Sequence, residues 1–233
     1  MVLDQAPASA PASQPGVDPA EVVGGEDETS VEETSLGPDT APSVVGASEL
    51  DIPLGEHELV ESWIAYFSGP GAPRFGRWLE RYGRYAPLMR PMLKEAGLPE
   101  DTIYLAMIES GFVPRAYSHA HAVGPWQFIA ATGAAYGLKQ NFWVDERRDP
   151  VKSTRAAARH LRDLYAEFGD WHLAWAAYNA GPGKVRTAIA RYGSRDFFEL
   201  VRHPYLRPET KHYVPKLIAA ATVASDPARA QVT

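Results

Sequence analysis

From about residue 55 onward, apolar side chains recur three and four positions apart, and no stretch alternates as a half-buried strand would. Leu59, Val60, Trp63, Ile64 and Phe67 follow this spacing, then Phe75, Trp78, Leu79 and Tyr82, then Tyr85, Leu88, Met89, Met92 and Leu93, with Gly97 and Pro99 as a stop. A chain patterned in this way folds as an all-α protein. A helix should begin near "PEDT", where Pro99 opens the first turn and Glu100 and Asp101 favour its positive end, and should finish at Gly111 and Pro114. Another should open with Asp149 as N-cap and Pro150 at the first position and close at Gly169. Asp170 caps the next, which Gly181 and Pro182 terminate, and Val185, Ile189 and Tyr192 mark one more. The segment "RPETKHYVPKLIAAATVAS" reads as one or two helices, because Pro215 is expected to kink or break the run.

The first 52 residues obey a different rule. They are rich in Pro, Ala, Gly, Ser, Thr and Glu and contain no aromatic residue, so they cannot bury enough apolar surface to offset the entropy of ordering. We expect a disordered acidic linker over residues 1–52, a folded domain over 53–227 and a short tail at 228–233. Thirteen of the 29 acidic residues and none of the 23 Lys and Arg fall within residues 1–60, so the overall charge of −6 hides a net of +7 on the remainder. Such a domain suits an anionic partner, without choosing among nucleic acid, an anionic polymer and a membrane surface. The absence of cysteine excludes disulfides, a thiolate metal site and a cysteine nucleophile. The start of the chain lacks the basic and apolar parts of a secretory signal, and no apolar run is long enough to span a membrane. The expectation is either a cytoplasmic protein or a chain that begins after its leader.

Within "LAMIESGFVPRAYSHAHAVGPWQF", Glu109 stands among Met107, Ile108 and Phe112 at a helix end. If buried there, its carboxyl would be desolvated, which raises its pKa and lets it hold a proton near neutrality as a general acid. Its neighbours in sequence carry small polar groups suited to sugar hydroxyls and acetamides: Ser118, Gln127, Tyr178 and Asn179. Each also has an ordinary structural use, as a turn residue, a first-turn helix residue, a core aromatic and a C-terminal cap respectively.

Together, and in this order, these motifs resemble the goose-lysozyme-like lytic transglycosylases, and among them the membrane-bound lytic murein transglycosylase D type. The likeness covers about residues 53–227 and runs through "LPEDTIYLAMIESGF", "YSHAHAVGPWQF", "FWVDERRDPVKSTRAAARHL", "AWAAYNAGPGKV" and "RPETKHYVPKLIAAA". It implies a lysozyme-like (goose-type) helical domain with a glycan cleft, no cofactor, peptidoglycan strands as partner, and a place in the periplasm or cell envelope. By this resemblance Glu109 is the single catalytic acid, Ser118 seats the N-acetylmuramoyl residue, Gln127 faces the glycan, and Tyr178 supports Glu109 and the reacting sugar. Asn179 belongs to the same polar set. Glu209 resembles a carboxylate that binds the glycan or its peptide, although a first-turn glutamate serving the helix dipole is an equally simple reading. His121 and Pro125 depart from the family pattern, where glycine and a larger apolar residue are common, and this bears on substrate fit.

A glycosidase usually needs two carboxylates, and no second one is evident near Glu109. That agrees with a non-hydrolytic reaction in which Glu109 protonates the bridging oxygen and then takes a proton from the C6 hydroxyl, leaving a 1,6-anhydro ring. The rivals are a lysozyme-type hydrolase on the same fold and a glycan-binding module without catalysis. A zinc site at His119 and His121 lacks a third ligand at metal spacing, and no nucleic-acid recognition motif accompanies the basic domain.

Overall fold

The periodic stretches become helices whose ends are set largely by nearby side chains. The computed structural model describes residues 50–226. In chain order the helices are α1 (Glu58–Ser68), α2 (Ala72–Glu95), α3 (Tyr104–Ser110), α4 (Ala130–Ala135), α5 (Pro150–Phe168), α6 (Trp171–Ala180), α7 (Pro182–Tyr192), α8 (Phe197–Leu200) and α9 (Pro208–Ser225). Among the described residues there is no strand, only isolated antiparallel bridges joining Tyr117 to Val123, Val123 to Phe128 and Gln140 to Asp145. The all-α class is therefore as expected. Residues 1–49 of the expected linker and residues 228–233 of the expected tail lie outside the described residues.

Capping follows the sequence closely in the second half. The Asp149 carboxylate accepts from the Val151 and Lys152 amides at the start of α5, and Gly169, at φ 65°, closes that helix. Asp170 caps α6 through the Leu173 amide. Gly181 ends α6, whereas Pro182 does not act as a stop: it opens α7, where its missing N–H is no loss.

The helix that carries Glu109 starts differently from the expectation. Glu100–Ile103 form a 3₁₀ turn ahead of α3, and its free amides are satisfied from far upstream. Asp51 accepts from the amides of Glu100 at 2.6 Å and Asp101 at 2.9 Å, while its own amide donates to Asp101 Oδ2. Asp101 is buried and also accepts from Arg90 at 2.6 Å. Asp51 and the buried Ile52 are thus tied to the domain, although the sequence places them in the linker.

Prolines do not break helices here. Pro87 and Pro91 lie inside α2 on its exposed side, where carbonyls left without a partner can turn to water. Pro215 lies within α9, which continues unbroken to Ser225. Helix α9 packs against α1, α3 and α6, and nearly all of it after the first turn is buried, including Leu217, Ile218 and the run Ala219, Ala220 and Ala221. This packing outweighs one lost backbone hydrogen bond. Helix α5 lies against α2 and α6, so the short α3 is held in the centre of the domain with every residue from Tyr104 to Ser110 buried.

Candidate active site

Glu109 occupies the last turn of α3 and exposes only 2% of its surface. Two left-handed residues, Gly111 at φ 58° and Phe112 at φ 62°, turn the chain out of the helix directly behind it. Glycine is required at 111 on two counts, since a Cβ there would also lie 2.4 Å from Trp78 Cδ1. Arg81 Nη1 donates to the Gly111 carbonyl at 2.8 Å, and Ser110 Oγ donates to the Pro125 carbonyl at 2.9 Å, which fastens the helix end to the following loop.

Burial dominates the electrostatics of Glu109 and raises its pKa from 4.5 to about 8. A hydrogen bond donated by the Tyr213 hydroxyl to Glu109 Oε1 opposes this, the nearby negative charge of Glu209 adds to it, and Lys216 opposes it. Glu109 Oε2 is buried and has no hydrogen-bond partner among the described residues. The group is therefore protonated at neutral pH. With Oε1 accepting from Tyr213, the acidic proton resides on Oε2.

Tyr213 and Lys216 are functional candidates that sequence reasoning missed. Their signal was available: Glu209, Tyr213 and Lys216 stand at i, i+4 and i+7 of α9, so one face of that helix carries all three. Glu209 is also a correction to the view that no second carboxylate lies near Glu109. Its charge reaches both Glu109 and Tyr213. Asn179, at the end of α6, holds this face in place: its Nδ2 donates to Glu209 Oε1 at 3.4 Å and its Oδ1 accepts from Thr210 Oγ1 at 2.8 Å.

Tyr178 is anchored to the loop that follows α3. Its hydroxyl donates to the Trp126 carbonyl at 2.8 Å, and its fully buried ring lies against His160 and Phe128. It also lies within electrostatic reach of Tyr213. The hydrogen bond to Glu109 comes from Tyr213.

Ser118 and Gln127 belong to the loop after α3, and neither is hydrogen-bonded to Glu109. Ser118 Oγ accepts from the Ala122 amide at 3.0 Å, and its own amide donates to the Ala122 carbonyl at 3.0 Å. The exposed tip between them carries His121 at φ 61°, whose Nδ1 pairs with the Tyr117 hydroxyl. Among the described residues, no three His, Asp or Glu side chains are grouped to hold a metal. Gln127 is fully buried at φ 48°, its Nε2 donates to the Gly124 carbonyl at 2.8 Å, and its Oε1 is left without a partner. A buried amide oxygen in that state is costly by itself and marks a position where a donor can be accepted.

The loop has a brace that the sequence did not suggest. Arg147 is buried and donates to the carbonyls of His121 at 3.2 Å and Phe128 at 3.0 Å, while Asp145 accepts from its Nε and Nη2. Although burial works against it, the hydrogen bonds and charge of Arg147 hold the Asp145 carboxyl below its usual range. Gly124, at φ 84°, lets the loop close on this brace, because a Cβ there would lie 1.9 Å from the Arg147 carbonyl oxygen.

Residues 89–201 match the sequence model of the Transglycosylase SLT domain. The match includes Glu109, Ser118, Gln127, Tyr178 and Asn179 and ends before the α9 face. The chain is 45% identical over 136 residues to the membrane-bound lytic murein transglycosylase D of Escherichia coli K12, which is 56% of this chain and 29% of that protein. It is 38% identical over 96 residues to the peptidoglycan transglycosylase gp16 of Escherichia phage T7, covering 40% of this chain and 7% of that one. Among solved structures, the 70 kDa soluble lytic transglycosylase SLT70 of Escherichia coli superposes with a TM-score of 0.50 at 24% identity, over 57% of this chain and 23% of that chain, a likeness of fold alone. The chain thus spans less than a third of the length of the Escherichia coli relative, 29%. Residues 89–201 are thus similar to the Transglycosylase SLT domain, on a helical fold like that of the lysozyme-like SLT70.

Proposed function

We propose that the chain is a peptidoglycan lytic transglycosylase, with Glu109 as its single acid and base, acting in the cell envelope, in the periplasm. The observation that carries this reading is the state of the Glu109 carboxyl: protonated near neutrality, held at Oε1 by Tyr213 and offering its proton from an Oε2 that no protein group engages. In the first step Oε2 gives its proton to the oxygen bridging N-acetylmuramic acid and N-acetylglucosamine. The bond from the muramoyl C1 to that oxygen breaks, and the N-acetylglucosamine leaves with a free hydroxyl. The acetamide carbonyl of the muramoyl sugar can assist at C1. In the second step the Glu109 carboxylate takes the proton of the C6 hydroxyl of the same sugar, O6 bonds to C1, and the 1,6-anhydro ring closes. No water is consumed, and Glu109 ends with its proton restored. Because Oε2 is out of reach of solvent, seating the glycosidic oxygen beside it requires the surrounding side chains to give way.

In this scheme Tyr213 aims the carboxyl and stabilises the anion between the two steps, Asn179 fixes Glu209 and α9, and Tyr178 holds the loop through the Trp126 carbonyl. Ser118 and the free amide oxygen of Gln127 serve the seating of the muramoyl sugar. The rival reading, a hydrolase, would have to draw on Glu209. Glu209 lies within electrostatic reach of Glu109, so a lysozyme-type hydrolase could use it to activate water.

The test of the site is Glu109→Gln, which nearly keeps the shape and the acceptor for Tyr213 but has no proton to give. Loss of general acid help lowers rates by about 10² to 10⁴, and the loss should be larger where one group serves twice. The variant should bind glycan strands and fail to cleave them; retention of substantial turnover would remove Glu109 from this role.

A further inference from the structure

Between α4 and α5 the chain makes a short hairpin, closed by the bridge from Gln140 to Asp145, with Phe142, Trp143 and Val144 at its tip. Phe142 is 90% and Trp143 86% exposed, whereas Leu54, the next most exposed large apolar side chain among the described residues, stands at 55%. The tip is fastened in this position. Asn141 Oδ1 accepts from the amides of Trp143 at 2.8 Å and Val144 at 2.9 Å, and the Asn141 amide donates to the Val144 carbonyl at 2.8 Å. Three consecutive apolar side chains held in water by such a turn mark a contact surface.

Cations surround the base of the hairpin. Lys152 Nζ donates to Glu146 Oε1 at 2.6 Å, the Lys139 amide donates to Glu146 Oε2 at 2.8 Å, and Arg159 donates to the Tyr136 carbonyl, so the segment that carries the hairpin is tied to one face of α5. Lys152, Arg155 and Arg159 share that face at i, i+3 and i+7, Arg162 follows at i+10, and all four are exposed. Residues 139–163 carry seven Lys and Arg against four Asp and Glu. Of those acids, Asp145 and Glu146 are already ion-paired within the segment.

We infer that the hairpin and this face of α5 dock the protein on an anionic lipid bilayer, with Phe142 and Trp143 entering the boundary between headgroups and acyl chains and the cations meeting lipid phosphates. The shape of the tip favours lipid over a saccharide. A sugar is held in a concave site or against a flat ring, and here the two rings protrude and meet edge to face at 89°, with Val144 beside them. The docking is independent of the role of Glu109.

The experiment sediments the full chain with vesicles of phosphatidylcholine alone and of phosphatidylcholine with phosphatidylglycerol in equal parts. The chain should bind the anionic vesicles, and the neutral ones more weakly. Phe142→Ser combined with Trp143→Ser should weaken binding at least about tenfold, the scale of burying one such side chain, while Trp143→Phe should keep most of it. Arg155→Gln combined with Arg162→Gln should weaken binding to the anionic vesicles at least about fivefold. Thermal unfolding of every variant should match that of the unaltered chain, since all four side chains are exposed. Absence of binding to anionic vesicles, or binding undiminished in the Phe142 and Trp143 double variant, would overturn the inference. Binding to lipid-free glycan strands that depends on Trp143, in place of vesicle binding, would make the tip a saccharide contact and overturn it as well.

Discussion

Glu109→Gln should stabilise the fold while removing activity, and the gain should depend on pH. The Glu109 carboxyl titrates near 8 in the folded domain and near 4.5 once exposed. Between these values the unfolded chain has released a proton that the folded chain still holds, so Glu109 lowers stability progressively as pH rises from 4.5 towards 8. At pH 7 the gap of about 2.5 pH units, at roughly 1.4 kcal/mol each, sets a ceiling of about 3 kcal/mol. For a domain of this size each kcal/mol moves Tm by about 2–4 °C. Glutamine does not ionise and can still accept from Tyr213, so it removes the penalty. Thermal unfolding of both proteins should show Tm values that nearly coincide at pH 4, with the variant higher by up to about 10 °C at pH 7. A Tm difference that is the same at both pH values, or a variant that is less stable at pH 7, would refute the burial argument.

Other outcomes follow from the same geometry. Activity should fall as pH rises through about 8, because the acid form of Glu109 is lost; Glu209→Gln should move that decline to lower pH, since Glu209 raises the Glu109 pKa, and Lys216→Met should move it to higher pH, as a pH–rate series will show. Gly124→Ala places a methyl group 1.9 Å from the Arg147 carbonyl oxygen at φ 84°, and urea unfolding should register a loss of about 2–4 kcal/mol, with turnover reduced as the loop shifts. Removing residues 1–49 should leave Tm and activity nearly unchanged. Extending the deletion through Ile52 removes the Asp51 cap and a buried side chain and should cost about 2–4 kcal/mol.

Local signals were legible where they act locally. Asp149, Pro150, Gly169 and Asp170 mark helix ends because each serves amides or a backbone conformation within a few residues. The burial of Glu109 follows from its apolar neighbours Met107, Ile108 and Phe112. Long-range partners were hidden. Asp51 caps a turn some 50 positions away, and Arg147 braces carbonyls 19 and 26 positions back, with no periodicity to announce either. Pro215 misled because a local rule about helix interiors was set against packing on three sides. Tyr213, one turn beyond Glu209, went unread, because its bond to Glu109 spans 104 positions of the chain.

The central claim, that one carboxyl serves as acid and then as base without water, is tested most directly by the mass of the soluble products released from purified cell wall. Intramolecular attack by a held C6 hydroxyl can reach an effective molarity of about 10⁵ M or more, far above that of water. The account therefore predicts muramoyl ends that are 1,6-anhydro, lighter by one water than the hydrolytic product and without a reducing group. Predominantly reducing muramoyl ends would contradict it and show a hydrolase.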